Sequence, residues 1–90
     1  MQPKTKASEL IKRIQNFVEA KTPDEFTRTA IFRDIEALQK VEPATASACR
    51  GMMAAVAHNE PETRKHFENA RRLLPHDWWI ETNYAKALHN

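Results

Sequence analysis

Four histidines and one cysteine are the side chains of this sequence best suited to bind a metal ion or attack a substrate. Two ligands on one helical face must lie three or four residues apart, and no such pair occurs among His58, His66, His76 and His89. Cys49 stands in an alanine-rich segment without a neighbouring base, which is typical of a buried core residue. No glycine-rich loop could hold a phosphate. The sequence therefore predicts no enzyme, no metal site and no cofactor.

The charged residues are nearly balanced, with 14 basic against 12 acidic side chains and a net charge of +2. Basic residues gather near the start and in the fourth predicted helix: Lys4, Lys6, Lys12 and Arg13, then Arg64, Lys65, Arg71 and Arg72. Acidic residues interrupt the second group, and Glu68 stands four residues after Arg64, where the two can form a helical ion pair. Because nucleic acid binding needs a face of one sign, we interpret both groups as solvated faces. A nucleic-acid-associated domain using the basic faces of helices one and four stays open as an alternative.

The composition is typical of a small all-α protein. Hydrophobic residues make up 41% of the 90 positions, and a single glycine is too few for the turns of a sheet protein. One cysteine excludes a scaffold held by internal disulfides. No run approaches the about 18 consecutive apolar residues that cross a membrane, and the start leads into an amphipathic segment rather than a signal core. We therefore expect one cytoplasmic domain over residues 1–90 that does not contact a membrane.

Prolines and polar residues divide the chain into five predicted helices. The expected spans are Ser8–Lys21, from Thr22 to Lys40, Pro43–His58, from Pro61 to a stop at Pro75, and Trp78–Leu88. In the first helix, apolar residues recur every three or four positions on one face: Ala7, Leu10, Ile11, Ile14, Phe17 and Val18. The third helix is rich in alanine on nearly every face, so we expect other helices to enclose it. Connections this short make neighbouring helices antiparallel.

Two helix starts carry capping signals. The segment Thr22-Pro23-Asp24-Glu25 predicts a capping box, in which the Thr22 hydroxyl accepts from the Glu25 amide. Asp77 is the expected cap of the last helix. The apolar side chains that this last helix would bury are Trp78, Ile80, Tyr84, Ala85 and Leu88.

Gly51 is the only glycine, and it lies inside a predicted helix, where glycine costs about 1 kcal/mol relative to alanine and needs a packing reason. Phe67 and Ala70 follow in the next predicted helix, which stops at Pro75. A small residue in a first helix, followed by an aromatic, a small residue and a proline in a second helix, resembles the tetratricopeptide repeat, an antiparallel helix pair of about 34 residues. Ala85 stands one such repeat length after Gly51, at the equivalent small position of a following first helix.

The resemblance covers residues 44–77 as one repeat and residues 78–90 as a half-repeat or capping helix. Residues 8–42 form a helical hairpin, either a degenerate repeat or an unrelated cap. The chain departs from the family at Ser47, Arg50 and Ala54, where aromatic residues or leucines are usual, and at Thr63, where alanine is usual. The resemblance implies a short right-handed solenoid whose first helices line a concave surface.

This implied concave surface is the expected binding site for a peptide or helix of another protein. It would be formed by Thr45, Ala48, Met52 and Val56, then by Trp79, Thr82, Asn83 and Lys86. An asparagine equivalent to Asn83 often holds a bound peptide backbone in the family. We expect Met52, Val56, Trp79, Asn83 and Lys86 to bind the partner. The alternative for Met52 and Val56 is that they complete the core against the first two helices.

Trp78 and Trp79 are adjacent, so they point about 100° apart on a helix and one neighbour cannot bury both. One is expected to pack on the fourth helix. The other, taken to be Trp79, is left for a partner, for a second copy, or to cap the open end of the stack. The sequence thus predicts a non-enzymatic, adaptor-like or chaperone-like protein interaction module, with a homodimer through the last helix as a further expectation. A self-assembling structural subunit is the remaining alternative.

Overall fold

The computed structural model describes residues 3–20 and 24–89 and contains five helices there: α1 Pro3–Glu19, α2 Glu25–Gln39, α3 Pro43–Val56, α4 Glu60–Leu73 and α5 Trp78–His89. These ranges contain no strand, and the predicted all-α fold is confirmed. None of the five helices combines the length and apolar content that a membrane span requires. The expected helix end at Lys21 lies outside the described residues, as do the side chains of Lys4 and Lys6.

The first helix begins earlier than the apolar pattern predicts. α1 starts at Pro3, because proline suits the first turn, where an amide has no helical partner. It buries the predicted stripe at Ala7, Leu10, Ile14 and Phe17. Val18, the last member, stays 40% exposed, and the buried face of the helix therefore ends at Phe17.

The cap of α2 differs from the predicted capping box. Asp24 has an extended backbone, and its carboxylate accepts from the amide of Thr27 at 3.1 Å and from its hydroxyl at 2.9 Å. These hydrogen bonds hold the pKa of Asp24 below its usual range. Glu25 is therefore the first helical residue and contacts Arg28 instead of reaching back. Thr22 and Pro23, which the predicted capping box also includes, lie outside the described residues.

The turn between α3 and α4 ends one helix and begins the next within three residues. His58 adopts a left-handed backbone with φ of 58°, and its amide donates to the carbonyl of Ala55. The Asn59 amide donates to the carbonyl of Ala54, which completes a Schellman motif, and its side-chain oxygen accepts from the Glu62 amide at 3.3 Å. Because this motif ends α3 at Val56, the helix is two residues shorter than predicted.

Helix α3 is the centre of the arrangement, since among the described residues it alone contacts all four other helices. The remaining contacts join α1 to α2 and α4 to α5. The predicted enclosure of this helix is confirmed. Its buried residues are Ala46, Ser47, Ala48, Cys49, Gly51, Met52 and Met53, and all of them except the two methionines are small. Small side chains allow close approach on several sides. The result is a slab of 34 × 33 × 17 Å, about two helices thick.

The ring of Phe67 fills the space left by Gly51. A Cβ atom placed on Gly51 would lie 2.5 Å from Cδ2 of Phe67, so no larger residue fits without displacement of the ring. The ring is fully buried, and its other side stacks on Tyr84 with centroids 5.0 Å apart and planes 6° apart. One side chain of α4 thus joins α3 to α5, and the predicted contact between Gly51 and Phe67 is confirmed.

The cap of α5 is also confirmed, because the Asp77 carboxylate accepts from the Ile80 amide at 3.0 Å. The predicted apolar set of this helix is partly wrong. Ile80 and Tyr84 are buried, whereas Trp78, Ala85 and Leu88 are exposed. The reason is that α5 contacts only α3 and α4, and no described helix covers the face on which these three residues lie.

Replacing Gly51 with alanine should destabilise the protein. Alanine favours a helix, but its methyl group would overlap the buried Phe67 ring, and overpacking of this kind costs about 1–3 kcal/mol. Chemical denaturation of Gly51→Ala should therefore show a lower free energy of unfolding. In a Phe67→Leu background the same substitution should be neutral or stabilising. Equal effects in both backgrounds would contradict the contact.

Candidate partner-binding groove

Helices α1, α3 and α5 enclose a groove of about 620 Å³, called the apolar groove below. Its lining consists of Gln15, Val18, Glu19, Met52, Ala55, Val56, His58, Asn83, Lys86 and Ala87. Since α1 and α5 both contact α3 but not each other in the described ranges, α3 forms the floor and the outer helices form the sides. Four of the five residues predicted to bind a partner, Met52, Val56, Asn83 and Lys86, therefore lie together.

The floor of the apolar groove is also part of the protein core. Met52 is buried and Val56 is half-buried, and both pack against the core cluster. Each of these residues thus serves the core and still presents some apolar surface to the groove. Ala48, expected on the same surface, is fully buried, because α3 is enclosed by its neighbours. The expected concave surface is therefore narrower on α3 than the sequence pattern indicates.

The sides of the groove are polar and carry opposite charges. Glu19 lies on the α1 side, and Lys86 lies on the α5 side; both are exposed. Asn83 is half-buried, and its Nδ2 donates to the carbonyl oxygen of Trp79 at 2.8 Å within α5. This hydrogen bond fixes the side chain of Asn83 and occupies one of its donor hydrogens. A ligand would meet an apolar floor between an acidic and a basic edge.

The two tryptophans have different surroundings. Trp79 is half-buried against the core and is absent from the lining of the apolar groove. Trp78 is 77% exposed. The expected division between a packed and an exposed indole is therefore present, but Trp78 is the exposed one, because Ile80 and Tyr84 turn the opposite side of α5 toward the core.

The contribution of α1 to the groove was not predicted. Gln15 and Glu19 read as members of a solvated helix face, and Val18 reads as a core residue. The signal that could have identified them is positional. α1, α3 and α5 are alternate helices of an antiparallel run, and alternate helices of such a run lie in the same layer.

Three arginines of helices one and four, Arg13, Arg64 and Arg71, are paired with carboxylates. Arg13 contacts Asp34, Arg64 contacts Glu60 at 2.9 Å, and Arg71 contacts two carboxylates. The predicted pair of Glu68 with Arg64 is wrong, since Glu68 accepts from Arg71 at 3.1 Å and from the Tyr84 hydroxyl at 2.8 Å. Helices α1 and α4 do not meet in the described ranges, so these basic groups do not form one continuous face.

Cys49 is a core residue. Its side chain is fully buried, and burial, reinforced by the negative charge of Glu42, raises the pKa of Cys49 to about 12. A neutral buried thiol is a poor nucleophile and a poor metal ligand. Among the described residues, no group of three or more histidine, cysteine, aspartate or glutamate side chains could hold a metal ion.

Comparison with protein-family models, with curated proteins and with solved structures finds no match for this chain. The resemblance to the tetratricopeptide repeat thus stays a prediction that depends on the residues of the chain itself.

The thiol of Cys49 should be almost unreactive in the folded protein. A pKa near 12 leaves little thiolate at pH 8, and burial blocks access of the reagent. Labelling with an aromatic disulfide reagent should therefore be at least about a hundredfold slower in native buffer than in denaturant. Rapid labelling of the native protein would contradict the buried position.

Proposed function

We propose that this protein is a non-enzymatic interaction module of the tetratricopeptide-repeat type that binds a helix of another protein in the apolar groove. The observation that carries the proposal is the convergence of Met52, Val56, Asn83 and Lys86 on one groove of about 620 Å³. The free energy of binding would come from apolar side chains that cover the floor of the groove.

The contact pattern supports a repeat architecture. Within residues 3–20 and 24–89, each even-numbered helix contacts only the helices that precede and follow it in the chain, whereas α3 also contacts α1 and α5. Stacked helical hairpins have such nearest-neighbour contacts. The free, buried thiol of Cys49 agrees with the reducing cytoplasm in which we propose that the protein acts.

The charges at the edges of the groove define the partner further. A helix with an apolar stripe, a basic residue facing Glu19 and an acidic residue facing Lys86 would complement both sides. These exposed ion pairs select the orientation of the helix more than they add to its affinity. The proposed partner is therefore an amphipathic helix with opposite charges along its two edges.

A designed peptide tests this proposal directly. The probe is a labelled helical peptide with a leucine stripe, glutamates along one edge and lysines along the other. Val56→Asp should weaken binding at least about tenfold, because it places a carboxylate under the apolar stripe. Val41→Asp, the same change at an exposed valine outside the groove, should leave binding unchanged.

A second pair of variants avoids the core. Lys86→Glu should weaken binding about three- to tenfold, and Lys40→Glu, on the exposed end of α2, should not. Circular dichroism checks that each variant is folded. Unchanged binding in both groove variants, or equal losses in the matched controls, would contradict the proposed site.

The exposed face of α5 favours a second mode of association, a homodimer through this helix. Ala85 stands one repeat length after Gly51, yet it is exposed, whereas Gly51 is covered by Phe67 of α4. Trp78 on the same face supplies a large indole surface, a side chain often found at the centre of interfaces. A second copy of the chain could cover this face as α4 covers α3.

Trp78→Ala should therefore abolish self-association without a loss of stability, because the side chain is 77% exposed. Sedimentation at increasing concentration should show dimers of the wild type and monomers of the variant. Trp79→Ala is the matched control, and it should lower the melting temperature, because Trp79 packs against the core. A wild-type monomer at every concentration would exclude the homodimer.

A further inference from the structure

A second groove, of about 880 Å³, lies on the other side of α3 between that helix, α4 and the start of α5; it is called the basic groove below. Its ionic lining consists of Arg50, Lys65, Arg71, Arg72, Glu68 and Glu81, together with two histidines. The four basic and two acidic side chains give this lining a net charge of +2, as large as the net charge of the whole chain. None of its lining residues is shared with the apolar groove.

The two carboxylates of the basic groove are engaged by one arginine. Nε of Arg71 donates to Glu81 at 2.9 Å, and Nη1 donates to Glu68 at 3.1 Å. The guanidinium also lies 5.7 Å from the centre of the Tyr84 ring. Arg71 is thus a structural cation that joins α4 to α5, and the charge that remains for a ligand is on other residues.

Arg50 and Arg72 are held by neutral partners. Nη2 of Arg50 donates to the side-chain oxygen of Gln39 at 2.7 Å, and Nη2 of Arg72 donates to that of Asn69. Asn69 is itself fixed, because its Nδ2 donates to the hydroxyl of the buried Ser47 at 2.7 Å. Amide oxygens orient a guanidinium without neutralising it, so both arginines keep full charge and free donors in defined positions.

The histidine beside Arg50 is affected by these cations. Burial lowers the pKa of His66, and the positive charges of Lys65 and Arg50 lower it further, while Glu62 acts in the opposite direction. At neutral pH the imidazole is therefore neutral and can donate or accept a hydrogen bond beside the two arginines.

We propose that the basic groove binds a short acidic segment of a partner polypeptide, with carboxylates of that segment paired to Arg50 and Arg72. A guanidinium donates two parallel hydrogen bonds to a carboxylate, and both groups are already oriented for such contacts. Glu68 and Glu81 line the groove together with the basic side chains and would repel a continuous row of phosphates. A few separate carboxylates fit this mixed lining better than a nucleic acid backbone does.

The test uses the full chain and a fluorescein-labelled peptide in which three glutamates are separated by glycines, with anisotropy measured at low salt. Arg50→Gln/Arg72→Gln should weaken binding at least about tenfold, because hydrogen bonds between a guanidinium and a carboxylate are stronger than hydrogen bonds between neutral groups. The matched control is Arg28→Gln/Arg33→Gln, which removes the same charge from α2 outside the groove, and its affinity should stay within about twofold. Val56→Asp in the apolar groove should also leave this binding unchanged, which separates the two sites.

Three results would overturn the proposal: no binding of the peptide to the wild type, equal losses in the two double variants, or stronger binding of a single-stranded oligonucleotide of equal charge. Amide chemical shifts of the wild type provide a readout without any variant, which decides the outcome if the glutamine variants do not fold. The peptide should shift signals of residues 66–76 more than those of residues 83–87. The reverse pattern would contradict the assignment.

Discussion

The stack of Gly51, Phe67 and Tyr84 is the contact on which the rest of the structure depends. The ring of Phe67 touches the bare backbone of α3 on one side and lies 5.0 Å from the Tyr84 ring of α5 on the other. Because this single side chain sets the distances among three helices, it also sets the position of α5 relative to α3. The basic groove lies between helices that this stack joins, and α3 and α5 of the stack also form the floor and one side of the apolar groove.

The elements of the fold were predictable wherever the signal is local. Pro43 marks the start of α3 because it lacks the amide hydrogen for which the first turn of a helix has no acceptor. Asp77 marks the start of α5 because its carboxylate accepts from a first-turn amide. The contact between Gly51 and Phe67 was predictable as well, because an interior glycine is costly unless a neighbouring side chain requires the space. Four of the five proposed groove residues lie together in the structure, and their selection came from the resemblance to the tetratricopeptide repeat, which implies that first helices line one surface.

The remaining features depend on tertiary contacts that one sequence does not encode locally. The sequence offers two candidates for the cap of α2, Thr22 and Asp24, because both side chains carry an oxygen acceptor. The residue at which the backbone becomes helical decides between them, and here the extended residue before the helix is Asp24. Which of Trp78 and Trp79 faces solvent depends on the rotation of α5 about its axis, which the burial of Ile80 and Tyr84 determines. The ion pairs of Glu68 likewise require the approach of α5.

The central place of α3 has a consequence for the dynamics of the molecule. The buried middle of this helix is enclosed by the other four helices, so protection of its hydrogen-bonded amides against exchange should report the global unfolding free energy. In the part of the chain that the structure describes, α1 contacts α2 and α3 alone, and its detachment would leave the stack of α3, α4 and α5 intact. Such partial opening would uncover one side of the apolar groove while the basic groove kept its shape, so the two surfaces would differ in their local stability.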